Sequence, residues 1–148
     1  MFPEVLTRFS HEVTQTVALP PLPGAASVVK HLATCLAVRL APENVEVFYA
    51  IYCDAKGAPI HTVALSRGTV SSALVHPREV FAPALLCGAS AVIVAHNHPS
   101  GDPQPSADDR TTTRRLQKAG TLLGVTLLDH IVIGHGGAYY SFLETGVM

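Results

Sequence analysis

Apolar and polar positions fall into blocks along this chain, and the period within each block predicts an element. Val28, Val29, Leu32, Leu36 and Val38 recur at roughly helical spacing, which predicts a helix over about 25–38, ended near Pro42. The run EVFYAIYC at 46–53 is β-branched and aromatic and reads as a buried strand. Asp54, Ala55, Lys56 and Gly57 form a turn, and 58–66 is the return strand of a hairpin. Gly68 marks a bend. Pro77 can open a helix that runs to about Cys87. SAVIVAH at 90–96 is a second buried strand, followed by the proline-studded loop NHPSGDPQPS. Ser106 can cap a helix over about 107–122, whose apolar side carries Leu116, Ala119, Leu122 and Leu123. Strands at 125–133 and 138–142 flank a turn at Gly134–Gly137. Residues 1–23 contain VALPPLPG and read as an irregular arm ahead of a domain at 24–148. The order predicts a mixed α/β (α+β) domain, a central mixed sheet flanked by helices.

Composition narrows the class. At 148 residues and 48% hydrophobic, the chain can bury one core without disulfide or metal staples. A net charge of −1 argues against non-specific nucleic-acid binding, though not against a local basic patch. Cys35, Cys53 and Cys87 are scattered and odd in number, which suggests neither a disulfide framework nor a cysteine zinc site. A reducing, cytoplasmic setting follows as the expectation. The first residues lack the pattern of a signal peptide, and no stretch is long and apolar enough to span a membrane.

The chemistry concentrates in AHNHPSGDPQPSADD, residues 95–109. His96 and His98 lie two apart at a predicted strand end, so both imidazoles point to one face. Asp109 opens the next helix, and the loop between can fold its carboxylate back to the same point. Pro99, Pro103 and Pro105 restrict that loop. Two imidazoles and one carboxylate make a catalytic-type Zn2+ site with a position left for water. Hydrolysis also needs a proton carrier. Glu46, at the head of an apolar strand, is the candidate, because partial burial would raise its pKa. Ser106 could donate to a developing oxyanion. Each residue has a bland rival. Ser106 and Asp109 also have capping-box spacing, and Glu46 could be a solvated strand end.

The spacing His96-Asn97-His98, seven residues, Ser106, two residues, Asp109 resembles the JAMM metalloprotease signature of JAB/MPN domains. HNHPSGDPQPS resembles one branch, the RadC-like (UPF0758) proteins. EVFYAIYCD, RGTVSSALVHPREVF and DHIVIG with YYSF extend the likeness over about 25–144. The resemblance implies a cytidine-deaminase-like fold. It also implies His96, His98 and Asp109 as zinc ligands, Glu46 as general acid/base and Ser106 as oxyanion helper. Glu79, beside Arg78 in a first helical turn, is the competing glutamate. RadC-like proteins usually carry an N-terminal helix-hairpin-helix module, for which 23 residues are too short, so the DNA-repair label carries over least.

Other residues have plainer expectations. Asp129 and His130 read as structural, or as orienting a ligand, rather than ligating directly. His11, His31, His61, His76 and His135 have no partner spacing. Arg110, Arg114 and Lys118 form a basic stripe whose default is a solvated helix face. The expected activity is a zinc-dependent peptidase- or isopeptidase-like hydrolase acting on a protein or peptide. The alternatives are a DNA-repair-associated protein or metal-dependent nuclease, and a non-catalytic interaction module. The arm could dock on the domain, mediate a homodimer or block the site.

Overall fold

A computed structural model of the chain describes residues 33–35, 44–68 and 75–148. Of the predicted 25–38 helix, residues 33–35 are helical; the remainder and the 1–23 arm lie outside the described residues. The elements are β1 (Val47–Cys53), β2 (Pro59–Arg67), α1 (Pro77–Leu86), β3 (Ala91–Asn97), α2 (Ala107–Leu123), β4 (Thr126–Ile133) and β5 (Tyr139–Ser141). They match the sequence pattern to within a residue or two. Two differences bear on the site. Glu46 sits just outside β1 rather than in it, and β3 runs one residue past His96. The extension follows from the ladder with β4, which pairs Asn97 with Ile133.

The five strands form one sheet in the order β2-β1-β3-β4-β5. Among the described residues, only the β3–β4 pair is parallel. A parallel pair needs a crossover, and α2 supplies it between β3 and β4. Strand alternation divides the core in two. Val92 and Val94 of β3 pack with Phe48, Ala50 and Tyr52 of β1 and with Val80, Phe81 and Leu116 of the helices. Ala91, Ile93 and Ala95 pack with Val47, Ile51, Ile131, Ile133 and Ala33 on the opposite face. His96 shares the parity of Val92 and Val94, so it emerges on the side of α1 and α2. Among the described residues, no helix is long and apolar enough to cross a membrane.

The helices start and stop for local reasons. Pro77 opens α1, and Glu79 Oε2 accepts from the His76 N–H at 2.8 Å. Tyr52 Oη–H donates to the Val80 carbonyl at 2.8 Å and ties β1 to α1. Gly124 ends α2 at φ +72°, a left-handed conformation that glycine adopts without steric cost. Gly120 is needed for proximity instead. A Cβ there would lie 2.3 Å from the Val125 carbonyl oxygen and 3.2 Å from the Phe81 ring. Alanine would gain up to about 1 kcal/mol of helix propensity but force apart the backbone joining α2 to β4. Gly120→Ala is therefore expected to destabilise by about 1–3 kcal/mol net, the usual range for overpacking. Thermal denaturation checks this, and an unchanged or raised melting temperature would refute it.

Candidate metal centre

His96 is buried at the C-terminal end of β3, and half-buried His98 follows just beyond it. The two Nε2 atoms are 3.1 Å apart. Asp109 presents Oδ1 to His96 Nε2 and Oδ2 to His98 Nε2, each at 3.2 Å. One donor atom from each residue can be chosen so that all lie within 4.8 Å of one another. A tetrahedral ion with bonds of about 2.0 Å has ligand–ligand edges of about 3.3 Å. The three contacts thus have the span such an ion requires, and the donors are the imidazole and carboxylate types that zinc takes.

The loop that closes the triangle is held on several sides. His98 Nδ1 lies 2.8 Å from the Asp102 carbonyl, which can only accept, so Nδ1 carries the hydrogen and Nε2 is left for the site. The His98 N–H donates to the Ile133 carbonyl at 2.9 Å. The β4–β5 turn grips the loop as well. The His135 N–H donates to the Gly101 carbonyl at 3.0 Å, and a Cβ on Gly101 would fall 2.6 Å from the His135 ring.

Asp109 joins loop to helix. Its Oδ2 accepts from the Ser106 N–H at 2.7 Å, and its own N–H donates to Ser106 Oγ at 3.0 Å. The capping-box reading and the ligand reading therefore describe one carboxylate. Ser106 Oγ acts as an acceptor in the cap, which leaves its hydroxyl hydrogen for another partner.

The field of the site follows from these contacts. Burial pushes Asp109 up, but its contacts with His96 and His98 and the Ser106 N–H outweigh it and hold the carboxyl well below the usual range. Its hydrogen bond with Asp109 raises His98 above its ordinary 6.5 against the opposing effect of burial. Burial raises Glu46 above the ordinary carboxylate value, and the charges of His96, Asp109 and His98 all reach it. Glu79, the competing glutamate, commits its carboxylate to the α1 cap.

Three residues complete the surroundings. Asn97 faces away from the imidazoles and holds the chain on both sides of Glu46. Its Oδ1 accepts from the Val47 N–H at 2.7 Å, and its Nδ2 donates to the Val45 carbonyl at 3.0 Å. His130 Nε2 is 2.9 Å from His96 Nδ1, and its Nδ1 is 2.7 Å from Thr113 Oγ1. His130 stacks on Phe142, and His96 on Phe48. Burial holds His130 well below its ordinary value, so it is neutral. Asp129 instead latches the C-terminal turn, accepting from Ser141 Oγ at 2.6 Å, the His130 N–H at 2.7 Å and the Leu143 N–H at 3.0 Å. Asn97 and Thr113 are absent from the sequence expectation. Strand parity and the helical spacing of Thr113 from Asp109 were the signals for them.

The remaining expectations resolve simply. His61 is exposed and His76 caps α1, while His11 and His31 lie outside the described residues. In the basic stripe Arg114 and Lys118 are exposed, as a solvated face requires, while Arg110 is half-buried. Arg110 and Arg114 line a small cavity of about 130 Å³ with Thr113, Gln117, Phe142 and Val147, and Arg110 lies 6.0 Å from the Tyr140 and Phe142 ring centroids.

The model of the RadC-like JAB domain family matches residues 26–147. The chain is 51% identical over 113 residues to the UPF0758 protein STH371 of Symbiobacterium thermophilum, covering 76% of this chain and 48% of that relative. It is 52% identical over 103 residues to a UPF0758 protein of Trichlorobacter lovleyi, covering 70% and 44%. It is 46% identical over 103 residues to the UPF0758 protein GSU0386 of Geobacter sulfurreducens, again covering 70% and 44%. The chain thus spans about half the length of the curated relatives it matches.

Removing the Asn97 amide strands the buried Val47 N–H. Asn97→Ala is expected to cost about 1–3 kcal/mol, the usual penalty for an orphaned buried donor. Denaturant unfolding measures this, and an unchanged midpoint would show that the amide does not hold the Glu46 segment.

Proposed function

The chain belongs to the RadC-like JAB domain family, and we propose that it is a zinc-dependent hydrolase of the JAMM type, peptidase- or isopeptidase-like. The observation that carries this reading is the convergence of His96 Nε2, His98 Nε2 and the Asp109 carboxylate at 3.1–3.2 Å. His96, His98 and Asp109 would hold the ion. When bound, zinc supplies Lewis acidity and makes hydroxide available near neutral pH.

The protein's own groups do the rest. Glu46 holds a proton at its carboxylate and passes it to the leaving amine. Its raised pKa suits a group that must both accept and release one. Ser106 donates its free hydroxyl hydrogen to the oxygen that gains charge, while its Oγ lone pair keeps Asp109 in the cap. Asn97 clamps the backbone on both sides of Glu46, whose carboxyl feels the charges of His96, Asp109 and His98. The substrate in this reading is a protein or peptide. Cys53 and Cys87 are free thiols, which supports a cytoplasmic setting.

The test is zinc content and a substrate panel of peptides, isopeptide-linked conjugates and nucleic acids. The protein is expected to bind zinc and cleave a peptide or isopeptide bond. His98→Ala should lose the ion. Glu46→Gln should keep it while losing roughly 100- to 10,000-fold in rate, the usual worth of a positioned acid/base. Nucleic-acid cleavage lost in Glu46→Gln, with no peptide cleaved, would overturn the reading. So would a protein that holds no zinc.

Acidity gives a second check. The proton on His98 competes with the ion, and its hydrogen bond to Asp109 holds that proton to a higher pH than usual. Zinc affinity should therefore weaken as pH falls through a value above 6.5 and level off on the alkaline side. Chelator competition across a pH series measures it, and a flat profile there would contradict the assignment of His98.

A further inference from the structure

A carbonyl oxygen can only accept a hydrogen bond, and that rule propagates through four groups in this core. Thr113 Oγ1 is 2.7 Å from the Asp109 carbonyl, so the threonine's one hydroxyl hydrogen points there. Toward His130 Nδ1, also 2.7 Å away, Thr113 can then only accept. The hydrogen in that contact belongs to His130 Nδ1. His130 is fully buried and its ring nitrogens meet Thr113 and His96, so it holds one ring hydrogen and its Nε2 is a bare acceptor. The hydrogen in the 2.9 Å contact between the two rings must then sit on His96 Nδ1.

We propose that Thr113 and His130 form a tautomer lock, which keeps the ring hydrogen of His96 on Nδ1 and the Nε2 lone pair turned toward His98 and Asp109. The lock opposes a local pull. Asp109 Oδ1, 3.2 Å from His96 Nε2, would by itself favour a hydrogen on that nitrogen, the wrong one for ligation. The chain of bonds starts at the main-chain carbonyl of Asp109 and ends at the ring of His96. The helical turn that brings in one ligand thus prepares the other. Thr113 and His130 are positioning residues, since they act through His96. The purpose of the lock rests on the zinc-site reading, but its hydrogen-bond chemistry does not.

The experiment uses the whole chain with 15N-labelled histidine and compares wild type, Thr113→Ser and Thr113→Val. Long-range 1H–15N correlation spectra read which ring nitrogen carries a hydrogen, and chelator competition reads zinc affinity. In the wild type, His96 should carry a hydrogen on Nδ1 both with and without zinc. Thr113→Ser keeps the hydroxyl and should behave alike.

Thr113→Val removes the acceptor for His130 Nδ1. His130 can then move its hydrogen to Nε2 and donate to His96 Nδ1, and His96 should show its hydrogen on Nε2 in the zinc-free protein. Zinc affinity should fall 10- to 100-fold, the usual effect of losing a partner behind a metal ligand. A purely structural threonine would shift the melting temperature without moving the His96 hydrogen. If the Val variant keeps the wild-type His96 spectrum, the lock is refuted. If zinc binds neither wild type nor variant, the zinc reading fails, and the zinc-free spectra still decide the lock.

Discussion

The carboxylate of Asp109 is the point on which this structure turns. A buried carboxylate must find donors or destabilise the fold. Asp109 finds the Ser106 N–H as a donor at 2.7 Å, and its two oxygens lie 3.2 Å from the Nε2 atoms of His96 and His98. That requirement settles three things together. It starts α2 at Ser106, it folds the 98–106 loop back over the end of β3, and it brings the helix to the imidazoles. No buried side-chain polar atom among the described residues lacks a partner, so the polar cluster sits inside an apolar core without an orphan. A cap and a ligand usually compete as explanations of an acidic residue in a first helical turn. Here one carboxylate caps α2 through Oδ2 and faces both imidazoles.

The β3 strand separates the tasks by parity. Residues 92, 94 and 96 face the helices, and His96 meets Asp109, His130 and Phe48 there. Asn97 faces the other way and grips the backbone around Glu46. Consecutive residues thus turn to opposite faces of the sheet, His96 toward Asp109 and Asn97 toward the backbone around Glu46. The register with β4 sets the depth. It places Val132 opposite His96 and Val94 opposite His130, so the two rings are diagonal neighbours on one face.

Much of this was legible in the sequence, and the parts that were not share a cause. Short-range patterns showed the strands, α1, α2, the Ser106 cap and the convergence of His96 and His98, because period and spacing are local. The Asp109 cap was visible for the same reason, and the structure adds that the same carboxylate faces both imidazoles. The roles of Asn97 and Thr113 depend on partners far along the chain. Asn97 bonds to residues 50 and 52 positions away, and Thr113 reaches His130 across 17. Only the sheet order brings these together, and single-chain periodicity does not carry it. Asp129 and His130 are adjacent in sequence yet divide their work, one latching the C-terminal turn and the other backing His96. Glu46 and Glu79 were hard to separate for a similar reason. The cap that occupies Glu79 is local, but the field that reaches Glu46 comes from β3 and α2.

Asp109 and the two imidazoles form a cluster that could hold an ion, and the most direct measurement is X-ray absorption spectroscopy at the zinc edge on the zinc-loaded chain. The account predicts a first coordination shell of nitrogen and oxygen only, with two imidazoles resolved by their outer-shell scattering and distances of about 2.0–2.2 Å. A sulfur contribution from Cys35, Cys53 or Cys87, or a shell without imidazole, would place the ion elsewhere and contradict the assignment of His96, His98 and Asp109.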